Sequence, residues 1–289
     1  MAGTALVTAM NDNAVTLRGF GKRYGKTVAV DGVDLDIARG EIFGLIGPDG
    51  AGKSSLMKAV AGVLTFDSGS IDVFGTRIDS ERAAETIKAR LGLMPQGLGQ
   101  NLYGDLSIEE NIDFFARLRL VPADVLAERK KTLLGMTRLD RFRNRPMKQL
   151  SGGMKQKLGL VCTLIHAPDL VILDEPTTGV DPVSRRDFWT ILAELLHEQG
   201  ITALVSTAYL DEASRFQRMA MLHGGQVLAS GTPADIHALS PGAVVTLAGD
   251  DQVAALARLK PRFPQSEALG PQLRVFVDDA EPGPAGEQV

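Results

Sequence analysis

The chain has 289 residues, of which 44% are hydrophobic and 23% are charged, and its formal net charge is −4. This composition is typical of a soluble globular protein with a real core. It argues against nucleic acid as the main partner, because no general basic field would attract phosphate backbones. The only cysteine, Cys162, excludes an intrachain disulfide, and its apolar neighbours indicate a small buried side chain rather than a nucleophile.

The N-terminal residues 1–13 are predicted to be flexible and to carry no targeting signal. No basic residue precedes their short apolar patch, which is unlike a secretory signal peptide. No uninterrupted apolar run in the chain approaches the roughly 18 residues of a membrane span. We therefore expect a cytoplasmic protein whose work at a membrane requires another polypeptide.

A phosphate-binding loop is predicted between a strand and a helix. The run Ile42–Ile46 predicts a short buried strand, and Lys53–Val63 predicts a helix with an apolar face that ends at Val63. The segment between them matches G-x-x-x-x-G-K-[ST], in which glycines let backbone N–H groups turn inward onto phosphate oxygens. The start of the helix adds its positive dipole end. The nucleotide-binding residues expected here are Gly47, Pro48, Asp49, Gly50, Ala51, Gly52, Lys53, Ser54 and Ser55.

An amphipathic helix is predicted further along the chain, in "SIEENIDFFARLRL". Ser107 and Glu110 form a capping-box pattern, and Ile108 and Ile112 recur at helical spacing. This apolar stripe could touch a membrane, but we favour the core of a helical subdomain that covers about residues 97–165.

The segment "LSGGMKQKLGL", residues 150–160, predicts a second capped helix. Ser151 is a good N-cap, and Met154, Leu158 and Val161 form an apolar stripe. The glycines after the cap expose backbone N–H groups. A helix N-terminus with such groups is an anion receptor.

Two acids at the end of a later strand supply the partner that a phosphate-binding loop needs. The apolar run Leu170–Leu173 predicts a buried strand that ends in Asp174 and Glu175. In metal-assisted phosphoryl transfer, Lys53 would reach the β- and γ-phosphates, and Ser54 and Asp174 would hold Mg²⁺. Glu175 would polarise the attacking water as a general base.

These segments, in this order, resemble the ATP-binding cassette (ABC) ATPases over roughly residues 14–240. In that family the glycine-rich capped helix completes the nucleotide site of the opposite subunit. The resemblance therefore implies that Ser151, Gly152 and Gly153 face the γ-phosphate of ATP across a dimer interface. One chain would hold two half-sites and no complete one. The implied partners are a second cassette, in a homodimer or pseudo-dimer, and a transmembrane permease subunit.

The resemblance implies roles for further positions. Tyr24 would stack on adenine, with an exposed surface residue as the alternative. Gln96 would contact Mg²⁺ and the catalytic water, and would relay the nucleotide state to the transport partner. Asp181 would cross the dimer interface. The glycine-rich residues 97–106 fall where the family places its docking groove for transmembrane coupling helices.

One position departs from the family pattern. The family has a histidine that contacts the γ-phosphate where "STAYLDEAS" has Ala208. Losing one preorganised donor commonly costs about a hundredfold to a thousandfold in rate. Either the residue was substituted to trap ATP or it is native. We favour the native explanation, because the first cassette of tandem-cassette multidrug exporters and the related ribosome-associated ATPase can lack this histidine. The Ala208 site would then be degenerate, with turnover mainly from a second cassette.

The composition changes near the C-terminus. "AVVTLAG", "DQVAALARLK" and "LRVFVDD" predict a strand, a helix and a strand, in a small α/β unit at residues 241–278. Residues 279–289 are predicted to be a disordered tail or a linker.

The expected fold is α/β: a RecA-like P-loop core with a helical subdomain, an N-terminal antiparallel β edge and the small C-terminal unit. The expected function is Mg²⁺-dependent ATP binding and hydrolysis that closes a cassette dimer and drives a membrane exporter, from the inner face of the cell membrane. The alternatives are a ribosome-associated cassette ATPase, which the acidic charge disfavours, and a nucleotide-gated binding module with little turnover. Direct DNA binding is not expected.

Overall fold

The computed structural model describes residues 12–97, 99, 101–239, 242–248 and 251–278. The predicted tail at 279–289, residues 1–11 of the predicted N-terminal segment, and the predicted boundary after residue 240 lie outside the described residues. The chain forms two compact units that divide between Pro233 and Ala234.

Strands and helices are interspersed along the chain. The strands are β1 Asn13–Tyr24, β2 Thr27–Ala38, β3 Ile42–Ile46, β4 Ser68–Val73, β5 Thr76–Arg77, β6 Leu91–Met94, β7 Leu170–Leu173, β8 Thr202–Thr207, β9 Arg218–His223, β10 Gln226–Gly231, β11 Ala243–Ala248, β12 Glu267–Leu269 and β13 Gln272–Val277. The helices are α1 Lys53–Val60, α2 Glu81–Lys88, α3 Ile108–Leu118, α4 Ala123–Thr137, α5 Gly152–Leu164, α6 Pro182–Gln199, α7 Pro233–Ala238 and α8 Gln252–Leu259. Short 3₁₀ segments are Asp140–Phe142, Met147–Gln149 and Leu210–Arg215.

A six-stranded sheet forms the centre of the first unit. Its order is β10-β9-β3-β8-β7-β6, in which β9, β3, β8, β7 and β6 run parallel and β10 is antiparallel to β9. Strand β7 is buried over its whole length, which explains its unbroken apolar run. Because the carboxyl ends of parallel strands lie at one edge of a sheet, the segments after β3, β7 and β8 meet there.

A four-stranded antiparallel sheet, in the order β2-β1-β4-β5, lies in the same unit and is the antiparallel β edge that the resemblance implied. Its buried residues Leu17 and Ile37 belong to one hydrophobic cluster with Leu56 and Val60 of α1 and Leu204 of β8. Helix α1 is therefore packed against both sheets, which fixes the loop that precedes it.

Helix α1 is shorter than the sequence pattern predicts. It begins at Lys53 as expected but ends at Val60, so the predicted end at Val63 is wrong. The following turn contains Gly62 at φ 66°, a left-handed conformation that ends helices. Val63 lies beyond this turn and is 56% exposed, so it does not belong to the apolar face of the helix.

The predicted capping box of α3 is confirmed. The Ser107 hydroxyl accepts a hydrogen bond from the Glu110 N–H at 3.2 Å, and the Glu110 carboxylate accepts one from the Ser107 N–H at 2.8 Å. Ile108 and Ile112 are fully buried, which places them in a protein core. Across the part of the chain that the structure describes, no helix is both long and apolar enough to cross a membrane.

The second unit contains a three-stranded antiparallel sheet, β11-β13-β12. Phe263, Val275 and Val277 form its core, against which Leu259 of α8 packs. The predicted strand, helix and strand are all present, and β12 is an additional strand that the sequence pattern did not predict.

Candidate nucleotide-binding site

The loop between β3 and α1 requires glycine at two positions. Gly52 has φ 101°, and a Cβ there would lie 2.4 Å from the carbonyl oxygen of Ala29. A Cβ at Gly47 would lie 2.2 Å from the carbonyl oxygen of Leu222. Both separations are far below van der Waals contact, so a side chain at either position would displace backbone. The bare backbone that the motif predicts is thus a steric requirement of this loop.

Lys53 is held at the first turn of α1. Its side chain is 4% exposed, and Nζ donates hydrogen bonds to the carbonyl oxygens of Gly47 at 2.8 Å and Pro48 at 3.1 Å. The same Nζ forms an ion pair with Glu175 Oε1 at 3.1 Å. The ammonium group is therefore already fixed in the cradle by three acceptors.

The Glu175 carboxylate also accepts hydrogen bonds from two neutral side chains. Its Oε2 accepts hydrogen bonds from Gln96 Nε2 at 2.8 Å and from Thr178 Oγ1 at 3.2 Å. Its backbone has φ 48°, a left-handed conformation that costs a non-glycine residue of order 1–3 kcal/mol. Such strain persists only where the surroundings hold a residue in place. Lys53, Gln96 and Glu175, the three residues predicted to carry the catalysis, thus form one connected group.

These residues border an open cavity of about 310 Å³. Its position at the carboxyl edge of the parallel strands is where α/β sheets bind ligands. The lining residues are Ala29, Asp49, Gly50, Ala51, Gly52, Lys53, Ser54, Ser55, Gln96 and Glu175. Ala29 is the one lining residue that the sequence reasoning did not name.

Asp174 is tied to the neighbouring strand by a residue that the sequence reasoning missed as a contributor to the site. The Ser206 hydroxyl donates to Asp174 Oδ1 at 2.7 Å and accepts from the Glu175 N–H at 2.8 Å. Asp174 is 2% exposed and is not one of the residues that line the cavity. The signal for Ser206 was a hydroxyl near the end of a strand that is buried over its whole length.

Tyr24 lies at the rim of the cradle. Its hydroxyl is 3.2 Å from Ser55 Oγ, and its side chain is 49% exposed. The Lys22 ammonium sits 5.3 Å from the centre of the ring. The ring is therefore near the cleft and accessible to a flat ligand, although it does not line the cavity.

The residues predicted to act across a dimer lie outside the cavity lining. Ser151 is exposed and caps α5, with its hydroxyl accepting from the Met154 N–H at 3.3 Å. Gly152 begins α5, and a Cβ at Gly153 would lie 2.7 Å from Cβ of Ser184. Among the described residues, no hydrogen bond or ion pair joins this group to the Lys53 cluster.

Asp181 caps α6. Its Oδ1 accepts from the N–H groups of Val183 at 3.1 Å and Ser184 at 2.9 Å. Hydrogen bonds from the side chain and backbone of Ser184 hold the pKa of Asp181 below its ordinary value. The carboxylate also lies outside the cavity lining.

Ala208 immediately follows β8 and is exposed. Its neighbours are well held, since Thr207 Oγ1 accepts from the Tyr209 N–H at 3.0 Å and the Arg185 guanidinium lies 4.6 Å from the centre of the Tyr209 ring. The turn is therefore ordered, but its first residue offers no side-chain hydrogen bond.

Cys162 lies buried in α5, and burial raises the pKa of its thiol, as expected for a residue without nucleophilic function.

The chemistry of the cleft fits a magnesium nucleotide. A buried ammonium and a cradle closed to side chains suit phosphate oxygens. The Ser54 hydroxyl and the Gln96 amide in the cavity lining, with the buried Asp174 carboxylate next to Glu175, would supply oxygen ligands of the kind that Mg²⁺ prefers. The sequence of residues 30–178 matches the family model of the ABC transporters. The chain belongs to the ABC transporter family.

Individual ATP-binding proteins of ABC transporters are also similar to this chain in sequence. A probable multidrug ABC transporter ATP-binding protein of Escherichia coli, YbhF, is 44% identical over 226 residues, which is 78% of this chain and 38% of that protein. The chain thus spans 38% of the length of that relative. A Nod factor export ATP-binding protein I of Ralstonia nicotianae is 34% identical over 93% of this chain and 83% of its own length.

Solved structures agree on the fold. The cbiO1 protein of Clostridium perfringens, part of an ABC transporter complex, matches with a TM-score of 0.73 and 25% identity, covering 88% of this chain and 97% of that chain. The P-loop core expected from the sequence is therefore confirmed.

Proposed function

We propose that this cassette binds and hydrolyses Mg²⁺-ATP and is the ATP-binding subunit of an ABC exporter. The observation that carries the proposal is the convergence of Lys53, Gln96 and Glu175 on one open cavity beside the glycine loop. A buried lysine in a glycine cradle recognises a triphosphate, and a carboxylate beside it serves as a base.

In the reaction, a water oxygen attacks the γ-phosphorus of ATP while Glu175 accepts a proton from that water. The bond from the γ-phosphorus to the bridging oxygen breaks, which leaves ADP and inorganic phosphate. Gln96, which donates to Glu175, is placed to orient the water. Lys53 must leave its ion pair with Glu175 and contact the phosphates instead. Only then is the Glu175 carboxylate free to act as the base.

Ser54, Gln96 and Asp174 would hold Mg²⁺, which neutralises charge on the phosphate oxygens when it is bound. Asp174 is kept in position for this by Ser206. Tyr24 would stack on adenine, since its ring is accessible beside Ser55.

The site is completed by a second cassette, either another copy of this chain or a related one. The capped N-terminus of α5, with Ser151, Gly152 and Gly153, supports this assembly because it is an anion receptor outside the cavity lining of its own chain, and its capping residue Ser151 is exposed. Asp181 would lie at the same interface. A transmembrane permease subunit is the further partner, at the inner face of the cell membrane, and the export functions in the names of the relatives support this.

The Ala208 position makes this a degenerate site with slow turnover. A second candidate function, a nucleotide-gated module that closes on ATP with little hydrolysis, is favoured by the same observation. The two functions differ in the rate of phosphate release from closed dimers.

Phosphate release from Mg²⁺-ATP by the full chain tests the proposal. Lys53→Ala should reduce single-turnover hydrolysis at least about a hundredfold, because it removes a preorganised charge at the reacting phosphate. Lys58→Ala is the matched control, since Lys58 lies on the same helix and is exposed. Equal rates for the two variants would contradict the proposed site.

A further inference from the structure

A buried acid near the cleft has no part in the chemistry described above. Glu212 lies in the 3₁₀ segment Leu210–Arg215 and is 3% exposed. Its Oε1 accepts hydrogen bonds from Thr177 Oγ1 at 2.8 Å and Trp189 Nε1 at 2.7 Å, and its Oε2 accepts one from Thr207 Oγ1 at 2.6 Å. All three donor residues are buried as well.

These three donors are neutral groups. Burying a carboxyl group is costly, and apolar residues of similar volume often pack as well or better. Asp211, the adjacent acid, is by contrast exposed and lies 3.8 Å from the Arg185 guanidinium. Glu212 therefore has the features of a residue kept for the geometry that its hydrogen bonds impose.

The segments that Glu212 joins are the two that flank the proposed base. Thr177 belongs to the turn after Glu175, and the next residue in that turn, Thr178, donates to the Glu175 carboxylate. Thr207 ends β8, directly after Ser206, which accepts from the Glu175 N–H. The direction of the Glu175 side chain thus depends on a turn held from one side by Ser206 and from the other by Glu212.

We propose that Glu212 is a positioning residue of the ATPase site, which clamps the turn at Thr177 to the end of β8 and thereby aims the Glu175 carboxylate. The inference rests on the proposed function. Trp189 anchors the clamp to α6. The cradle around Lys53 belongs to the loop between β3 and α1, and the Gly47 N–H contacts the clamped segment through the Thr207 carbonyl oxygen at 3.4 Å, not through the Glu212 side chain. Loss of the clamp should therefore impair the chemical step and leave ATP binding intact.

Steady-state hydrolysis by Glu212→Ala, Glu212→Gln and Thr177→Val tests the clamp. Glu212→Ala should lower kcat about 10- to 100-fold with the KM for ATP within about twofold, since a shift of about 1 Å in a reacting group can cost a hundredfold. Glu212→Gln, which retains one carbonyl acceptor, should recover most of the rate. Thr177→Val should lower kcat in the same way as Glu212→Ala, and Asp211→Asn is the matched control.

Folding is checked with the single tryptophan of the chain, Trp189, whose indole contacts Glu212. If Glu212→Ala does not fold, Thr177→Val and Glu212→Gln decide the question. A folded Thr177→Val variant with wild-type kcat, or an increase in KM without loss of kcat, would overturn the clamp while the wild type still turns over. A wild-type chain that releases no phosphate would instead overturn the proposed function on which the clamp rests.

Discussion

The ion pair between Lys53 and Glu175 joins the residue proposed to hold the phosphates to the proposed base. Both side chains are buried, at 4% and 6% exposure, and their charged atoms are 3.1 Å apart. A triphosphate must draw the ammonium away from this carboxylate. The pair therefore opposes ATP binding and also keeps the base occupied until Lys53 has moved to the phosphates.

Glu175→Gln should separate these two effects. The amide keeps the shape of the side chain but removes its charge, so we expect Mg²⁺-ATP to bind several-fold more tightly while hydrolysis falls at least about a hundredfold. Calorimetric titration with Mg²⁺-ATP measures the affinity. Glu194→Gln, an exposed position on α6, is the control. Unchanged or weaker affinity in Glu175→Gln would show that the ion pair does not compete with the phosphates.

Restoring a histidine at Ala208 tests whether the proposed site is degenerate. The position directly follows Thr207, whose hydroxyl is fixed by Glu212, so a side chain there starts from an ordered turn. Ala208→His should raise the single-turnover rate by about tenfold or more, because it restores a donor near the γ-phosphate. Ala213→His, in the following 3₁₀ segment, serves as the comparison. A single-turnover rate for Ala208→His equal to that of the wild type would mean that the missing donor does not limit turnover.

Much of the candidate site was predictable from the sequence because its residues come in short contiguous motifs. Gly47 to Ser55 form one loop, and Asp174 and Glu175 end one strand. What the sequence could not show were contacts between distant segments. Ser206 reaches Asp174 from 32 positions away, and Glu212 reaches Thr177 from 35 positions away. Such pairs arise only from the order of strands in the sheet.

At the scale of elements, caps decide where helices begin. Ser107→Ala removes the acceptor for the Glu110 N–H and should destabilise the cassette by about 1 kcal/mol. A fall in Tm of about 2–4 °C is expected for a domain of this size. Thermal unfolding followed by circular dichroism measures it, with the exposed Ser230→Ala as control. An unchanged Tm would show that α3 is held by packing alone.

The Glu110 carboxylate, the second member of this capping box, makes the stability of the cassette depend on pH. Because Glu110 accepts the Ser107 N–H, its pKa is lowered. A lowered native pKa gives stability that is present above the unfolded value of about 4.3 and is lost as the pH falls through the native value. The difference in Tm between wild type and Glu110→Ala should therefore be largest near neutral pH and shrink in acid.

Helix ends were the least predictable elements. The strand Ile42–Ile46 and the strand Leu170–Leu173 agree with their apolar runs. Helix α1 ends early, because Gly62 adopts a left-handed turn before the apolar pattern stops. The strand β12 has only three exposed residues and is defined by pairing with β13, so no pattern marked it.

Over the whole molecule, the residues proposed to bind the nucleotide fall into two separate groups. The cradle and base converge at the carboxyl edge of the central sheet, while Ser151 caps a helix outside the cavity lining. A single chain therefore does not surround a triphosphate with all the residues that the family resemblance assigns to it. Closure with a second cassette is the step that would convert ATP binding into mechanical work on a permease.

Light scattering on the hydrolysis-deficient Glu175→Gln chain tests this claim most directly. Addition of Mg²⁺-ATP should double the particle mass, and the further substitution Ser151→Arg should abolish the doubling while the chain still binds ATP. A Glu175→Gln chain that stays monomeric when saturated with Mg²⁺-ATP would contradict assembly of the site from two copies of this chain.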